Sequence, residues 1–131
     1  MPLRRYASSK PGVFGANDAT GMLRAMRSAS KAAAEALSAA KIQAPTVPVV
    51  ANVTARAETN PAIIRQLLVD QVTGMVRWRE SIQYIKAQDV AATLEVGAGK
   101  VLSGLNKRIE PELESFNIGT PAELTAFANM V

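Results

Sequence analysis

Small and apolar side chains recur along this sequence at two spacings, and an element ends wherever the spacing changes. From about Thr20 to Lys41, Leu23, Met26, Ser30, Ala33, Leu37 and Ala40 fall three or four apart on one face, which predicts a helix. Its many alanines favour helix and give it a shallow contact surface. The run V-P-V-V-A-N-V, Val47 to Val53, is apolar almost without interruption, the pattern of a strand covered on both faces in a parallel sheet; Pro48 puts it at the strand's start or on an unpaired side. Asn60-Pro61 opens a second helix, with Asn as cap and Pro at the first helical position. Ile63, Ile64, Leu67, Leu68, Gln71 and Val72 share a face of it, and it ends near Thr73-Gly74.

A third helix, Val76 to about Gln88, is expected to bury Trp78, Ile82 and Ile85 and to leave Arg77, Arg79, Glu80 and Lys86 in solvent. The strand A-A-T-L-E-V follows, then the turn Gly97-Ala98-Gly99-Lys100, then a helix with Val101, Leu102, Leu105 and Ile109 as its inward stripe. A short strand, Ser115 to Ile118, precedes Thr120-Pro121-Ala122-Glu123, a capping box opening a last helix that carries Leu124 and Phe127. Helices alternating with apolar strands predict an α/β fold of about three parallel strands with flanking helices. Three strands leave unprotected edges, so the sheet reads as part of a larger one. Residues 1–20 lack a period and hold Pro2, Pro11, Gly12, Gly15 and Asn17, the composition of a mobile leader; residues 21–131 form one domain.

Charge changes the picture only at the start of the chain. The net charge is +4, but residues 1–41 hold seven Lys or Arg against two acids, and the remaining residues hold eight against nine. The body is nearly neutral, which argues against a nucleic-acid surface. No run approaches the twenty apolar residues of a membrane span, and the absence of Cys removes disulfides and thiolate metal sites, so a cytoplasmic protein without membrane or metal is expected. The chain also contains no His, the usual proton acceptor for a nucleophilic Ser or Cys.

Two places are candidates for chemistry. The turn at Gly97, Gly99 and Lys100 lies where open parallel sheets bind ligands, beyond the carboxyl end of a strand. It is not a phosphate loop, because Leu94 stands where the first Gly is required and Val101 where a hydroxyl is required. Nor is it a dinucleotide fingerprint, because Leu102 replaces the third Gly. It is either a site for an anion or carboxylate at the following helix N-terminus, or a tight corner whose glycines supply backbone angles. Gln71 is the second candidate: an amide on an apolar face acts as a structural latch or as a site residue. Glu110, Glu112 and Glu114 read as solvated charges.

From about Ala36 onward the chain resembles the C-terminal portion of the malonyl-CoA:acyl carrier protein transacylase family. The resemblance is carried by A-P-T-V-P-V-V-A-N-V (44–53), E-T-N-P (58–61), Q-V-T-G-M-V-R-W (71–78), S-I-Q-Y-I-K-A-Q (81–88) and L-E-V-G-A-G-K-V-L-S-G-L-N-K-R-I (94–109). It implies an α/β-hydrolase-like acyltransferase domain that moves malonyl from coenzyme A to a Ser, and then to the phosphopantetheine thiol of acyl carrier protein, without a bound cofactor. It further implies that the main-chain carbonyl of Gln71 orients the catalytic His.

The departures are as specific as the match. No Gly-x-Ser-x-Gly occurs, Ser103 lies within a helix, and the His expected near residue 22 is replaced by Met22 in the segment G-M-L-R-A-M. The Arg that pairs with the malonyl carboxylate falls in the missing portion. Residues 1 to about 30 match nothing in the family, as a truncated gene or a shifted reading frame upstream would leave them. The resemblance therefore implies a fragment that is inactive alone and whose partners are acyl carrier protein and a separately encoded N-terminal part. The alternative is a non-catalytic remnant that binds acyl carrier protein or regulates. A nucleotide-binding protein is a third reading, disfavoured by the failed motifs.

Overall fold

The computed structural model describes residues 16–129. Helix α1 runs Ala16–Ala39. Residues 16–19, expected in the leader, are therefore already helical, and the rest of that leader lies outside the described residues. Helix α2, Pro61–Asp70, lies against α1. Arg65 Nη2 donates to the carbonyl of Ala40 at 2.8 Å, which ties α2 to the end of α1. Asn60 caps α2 as its sequence predicts: its side-chain oxygen accepts from the N–H groups of Ala62 and Ile63, with Pro61 opening the helix.

The Val47–Val53 run does not form a parallel strand. Only Val49–Val50, strand β1, is extended and paired, and it pairs antiparallel with β2, Ala57–Glu58. The intervening loop closes because Ala55 adopts φ 53° and donates to the carbonyl of Ala51 at 2.8 Å, turning the chain straight back on itself. The run is apolar for another reason. Val49 and Val50 line a cleft with Ile64, Leu67 and Leu68 of α2, while Val50 also lines a second cleft with Tyr84 and Ile85 on its other side. Helices, rather than sheet neighbours, flank it.

Helix α3, Trp78–Lys86, buries Ile82 at 2% exposure, while Trp78 and Ile85 are only partly covered. The parallel sheet consists of β3, Ala92–Val96, and β4, Glu114–Ile118, in register from Ala92 opposite Glu114 to Val96 opposite Ile118. Helix α4, Val101–Ile109, makes the crossover between them, so these three elements are the parallel β-α-β unit of an α/β fold. Helix α5, Pro121–Ala128, closes the described chain behind the expected capping box of Thr120 and Glu123.

The expected packing of α4 is reversed. Val101 is 71% exposed and Leu102 and Leu105 are each 37% exposed, while Ser103 and Asn106 are buried against the sheet. The cause lies in the strands. Thr93, Glu95 and Ser115 occupy one face of the sheet, and α4 meets that face through hydrogen bonds rather than apolar contacts. Ala92, Leu94, Val96 and Phe116 are left exposed on the other strand positions.

Candidate functional site

Gln71 is the residue that ends α2. Its backbone remains in the α region, φ −65° and ψ −18°, and its N–H donates to the carbonyl of Leu67 at 3.0 Å. The turn after it is tight: Gly74 donates to the Asp70 carbonyl at 2.8 Å, and Arg77 donates to Asn52 in the β1–β2 loop at 2.8 Å. Gly74 is required there, because a Cβ would lie 2.5 Å from Val53 Cγ1 and 2.9 Å from the Asp70 oxygen. These contacts fix the end of α2 against the hairpin.

The expectation of a buried Gln71 amide fails. Gln71 is exposed, and among the described residues its side chain makes no hydrogen bond, so it is not a latch. Gln71 lines the same cleft as Ile64, Leu67 and Leu68, as the periodicity predicts, but remains exposed there. The main-chain carbonyl likewise receives no hydrogen bond from the described residues. It stands at a helix C-terminus, where unpaired carbonyls carry partial negative charge and favour a donor or a cation. Beside it a cleft of about 90 Å³ is lined by Val49, Asn52, Glu58, Ile64, Leu68 and Gln71, among others.

The glycine turn forms a tight strand-to-helix corner. Gly97 and Gly99 take φ 135° and 94°, angles that L side chains rarely adopt. The N-terminus of α4 is already occupied: the Glu95 carboxylate accepts from Leu102 N at 3.2 Å, from Ser103 N at 2.8 Å and from Ser103 Oγ at 2.7 Å. The hydroxyl of Ser103, followed by its amide, holds the Glu95 carboxyl below the usual carboxylate range. An internal carboxylate thus fills the place an external anion would take.

The same face carries a chain of polar contacts that links α3, α4 and the sheet. Trp78 Nε1 donates to Asn106 Oδ1 at 3.0 Å, Asn106 Nδ2 donates to Thr93 Oγ1 at 3.1 Å, and Thr93 Oγ1 lies 3.1 Å from Ser115 Oγ. Sequence reading missed Glu95 and Asn106. The available signal was Glu95 itself, an acid two residues after Thr93 in a strand otherwise read as apolar, on the same face by the strand period.

Lys100 is exposed beyond the strand ends and lowers the ionisation range of Glu123 at a distance. Glu123 itself accepts from Gly119 N at 2.8 Å and from Thr120 N at 3.0 Å, and the Gly119 bond is the main cause of its depressed pKa. A cleft of about 280 Å³ there is lined by Val96, Gly97, Ile118, Gly119, Thr120 and Leu124, with Pro121. It shares no residue with the cleft beside Gln71, so Gln71 and the glycine turn border separate surfaces. Among the described residues no group of three or more Asp or Glu side chains is placed to hold a metal ion, and no helix is long and apolar enough to cross a membrane.

No family-level sequence profile matches the chain. Individual proteins do. The malonyl CoA-acyl carrier protein transacylase of Salmonella typhimurium is 45% identical over 101 residues, which cover 77% of this chain and 33% of that protein. The crystal structure of the acyl-carrier-protein S-malonyltransferase of Bartonella henselae superimposes with a TM-score of 0.71 at 43% identity, covering 78% of this chain and 32% of that one. A malonyl-transacylase solved in complex with its type II PKS acyl-carrier protein matches with a TM-score of 0.69 at 37% identity, over 79% of this chain and 34% of that one. The chain spans about a third of the length of the relatives it matches. Over that third, in sequence and in fold, the chain is similar to the malonyl CoA-acyl carrier protein transacylases.

Proposed function

We propose that this chain supplies the C-terminal part of an acyltransferase that moves malonyl from coenzyme A to the phosphopantetheine thiol of acyl carrier protein, in fatty acid biosynthesis. The observation that carries the reading is the 45% identity over 101 residues to a transacylase of that name. The solved complex of a relative with an acyl-carrier protein supports the carrier as acceptor.

In such a transfer a Ser oxygen attacks the thioester carbonyl, the C–S bond breaks, and the thiol of coenzyme A leaves with a proton. The carrier thiol then attacks the acyl-Ser ester and releases the Ser. Both halves need a base for the proton of the attacking group. Gln71 contributes its main-chain carbonyl, which accepts the N–H on one side of an imidazole and leaves the opposite ring nitrogen free to take the Ser proton. Its position at the C-terminal end of α2 also favours the imidazolium that results. The imidazole itself comes from elsewhere, since these 131 residues contain no His. The nucleophile does too, since no Gly-x-Ser-x-Gly turn occurs in the sequence and Ser103 Oγ is buried and committed to Glu95. A separately supplied N-terminal part would provide both groups.

Incubating the purified chain with malonyl-CoA and carrier protein, and following the mass of the carrier, tests this assignment. No malonyl-carrier above the protein-free blank is expected. Transfer that tracks the chain through successive purification steps would show a nucleophile and base within these residues and overturn the proposal.

A further inference from the structure

Helix α3 begins without a local signal for its start. The residue before it, Arg77, supplies no side-chain cap, whereas Asn60 and Thr120 cap α2 and α5. Other bonds define the start instead. The Arg77 N–H donates to the Asn52 carbonyl at 2.8 Å, and the Arg77 carbonyl accepts from Ser81 N at 2.9 Å and from Ser81 Oγ at 2.8 Å. One residue on, Trp78 Nε1 donates to Asn106 Oδ1 at 3.0 Å.

Asn106 is 4% exposed, and its amide is engaged at both ends. The oxygen takes the indole proton, while the nitrogen donates to Thr93 Oγ1 at 3.1 Å, which lies 3.1 Å from Ser115 Oγ. A buried amide satisfied in this way holds one orientation, because any rotation leaves polar groups without partners. It therefore ties α4 and both strands of the parallel pair to the first residue of α3. That residue directly follows the turn that starts at Gln71. Residues 71–77 are thus held at both ends: on the α2 side by the bond from Gly74 to the Asp70 carbonyl at 2.8 Å, and on the α3 side by Arg77 and Trp78.

We propose that Asn106, acting through the Trp78 indole, is a positioning residue for the turn that carries the Gln71 carbonyl. Its consequence for transfer rests on the role proposed above for that carbonyl, while the positioning itself is measurable without it. The indole bond fixes where α3 starts, and that start fixes the path by which the chain leaves α2. Without the bond, residues 71–77 open locally, while α2 keeps its Asn60 cap and its tie from Arg65 to the end of α1.

Hydrogen exchange of the full chain, read residue by residue by NMR, tests the link. Trp78→Phe keeps a ring and removes the donor; Asn106→Leu keeps the bulk and removes the acceptor. Each should speed exchange at Gly74 and Arg77 by about tenfold or more and leave Ile64, near the start of α2, within about twofold of the parent. The two combined should add little to either alone. The indole N–H resonance of Trp78, the one Trp in the sequence, should shift in Asn106→Leu. Arg79→Ala, exposed on α3, should change none of these. Positioning also has a signature in the reaction. In this chain combined with the remaining segment of the Salmonella typhimurium relative, Trp78→Phe should move the lower limb of the pH profile of kcat/KM to lower pH, because a displaced carbonyl supports the imidazolium less. Equal acceleration at Ile64, Gly74 and Arg77, no acceleration, an unmoved indole resonance, or a parent chain unprotected at Gly74 and Arg77 overturns the proposal. Transfer whose lower limb stays in place overturns it as well. Local acceleration in a combination that transfers no malonyl upholds the positioning and counts against the transfer reading alone.

Discussion

Gln71 shows how much one residue's role depends on which of its atoms is considered. Periodicity predicts its side chain on the apolar face of α2, and the structure exposes that side chain while the main-chain carbonyl at the helix end takes no hydrogen bond from the described residues. The periodicity was legible because Ile64, Leu67 and Leu68 do share a cleft. The exposure was not, because a helix boundary shifts by a residue or two on contacts made elsewhere, here the Gly74 and Arg77 bonds. The proposed role of the Gln71 carbonyl can be separated from its side chain by assaying transfer with this chain combined with the remaining segment of a relative. Gln71→Ala should change the transfer rate by less than about threefold, since the carbonyl persists. Val72→Pro disfavours the α conformation of the residue before it, turns the Gln71 carbonyl, and should lower the rate by at least tenfold with helix content retained. Equal effects of the two substitutions would remove the carbonyl from the mechanism.

At the scale of elements, caps and corners were the legible features. Asn60-Pro61 and Thr120 to Glu123 carry their instructions in adjacent residues, and both helices begin where those residues place them. The corner at Gly97 and Gly99 was equally local. What sequence reading got wrong was partnership between elements. The Val47–Val53 run predicts a parallel strand only because apolar continuity does not distinguish sheet neighbours from flanking helices. The stripe of α4 was assigned inward because Val101, Leu102 and Leu105 are apolar, while the elements actually present engage Ser103 and Asn106. Glu95 makes that arrangement testable. The Ser103 hydroxyl and amide hold the Glu95 carboxyl below the usual carboxylate range, so the stabilisation is fully present above that range and is lost as pH falls through the folded-state pKa. Glu95→Gln should therefore lower the urea midpoint at pH 7, and the gap to the parent chain should narrow as the pH falls below the usual carboxylate range. A gap of constant size across that fall, or none at pH 7, would mean that the carboxylate does not stabilise α4.

For the whole molecule, the absence of His and of a Gly-x-Ser-x-Gly elbow matters as much as the 45% identity to a transacylase. The family was legible from residue strings that remain intact, and the α/β class followed from them and from the alternation of elements. The reversed polarity of the β-α-β unit was not legible, because apolar residues announce burial without saying against what. On the proposed function, these residues form one part of a malonyl-transfer site whose nucleophile and base lie in another part. The most direct measurement is the rate at which malonyl passes from coenzyme A to acyl carrier protein in the complex of this chain with the remaining segment of the Salmonella typhimurium relative. Transfer is predicted from the complex and from neither component alone, and substituting the relative's active-site Ser should abolish it. A stable complex that transfers nothing, or transfer that survives loss of that Ser, would contradict the account.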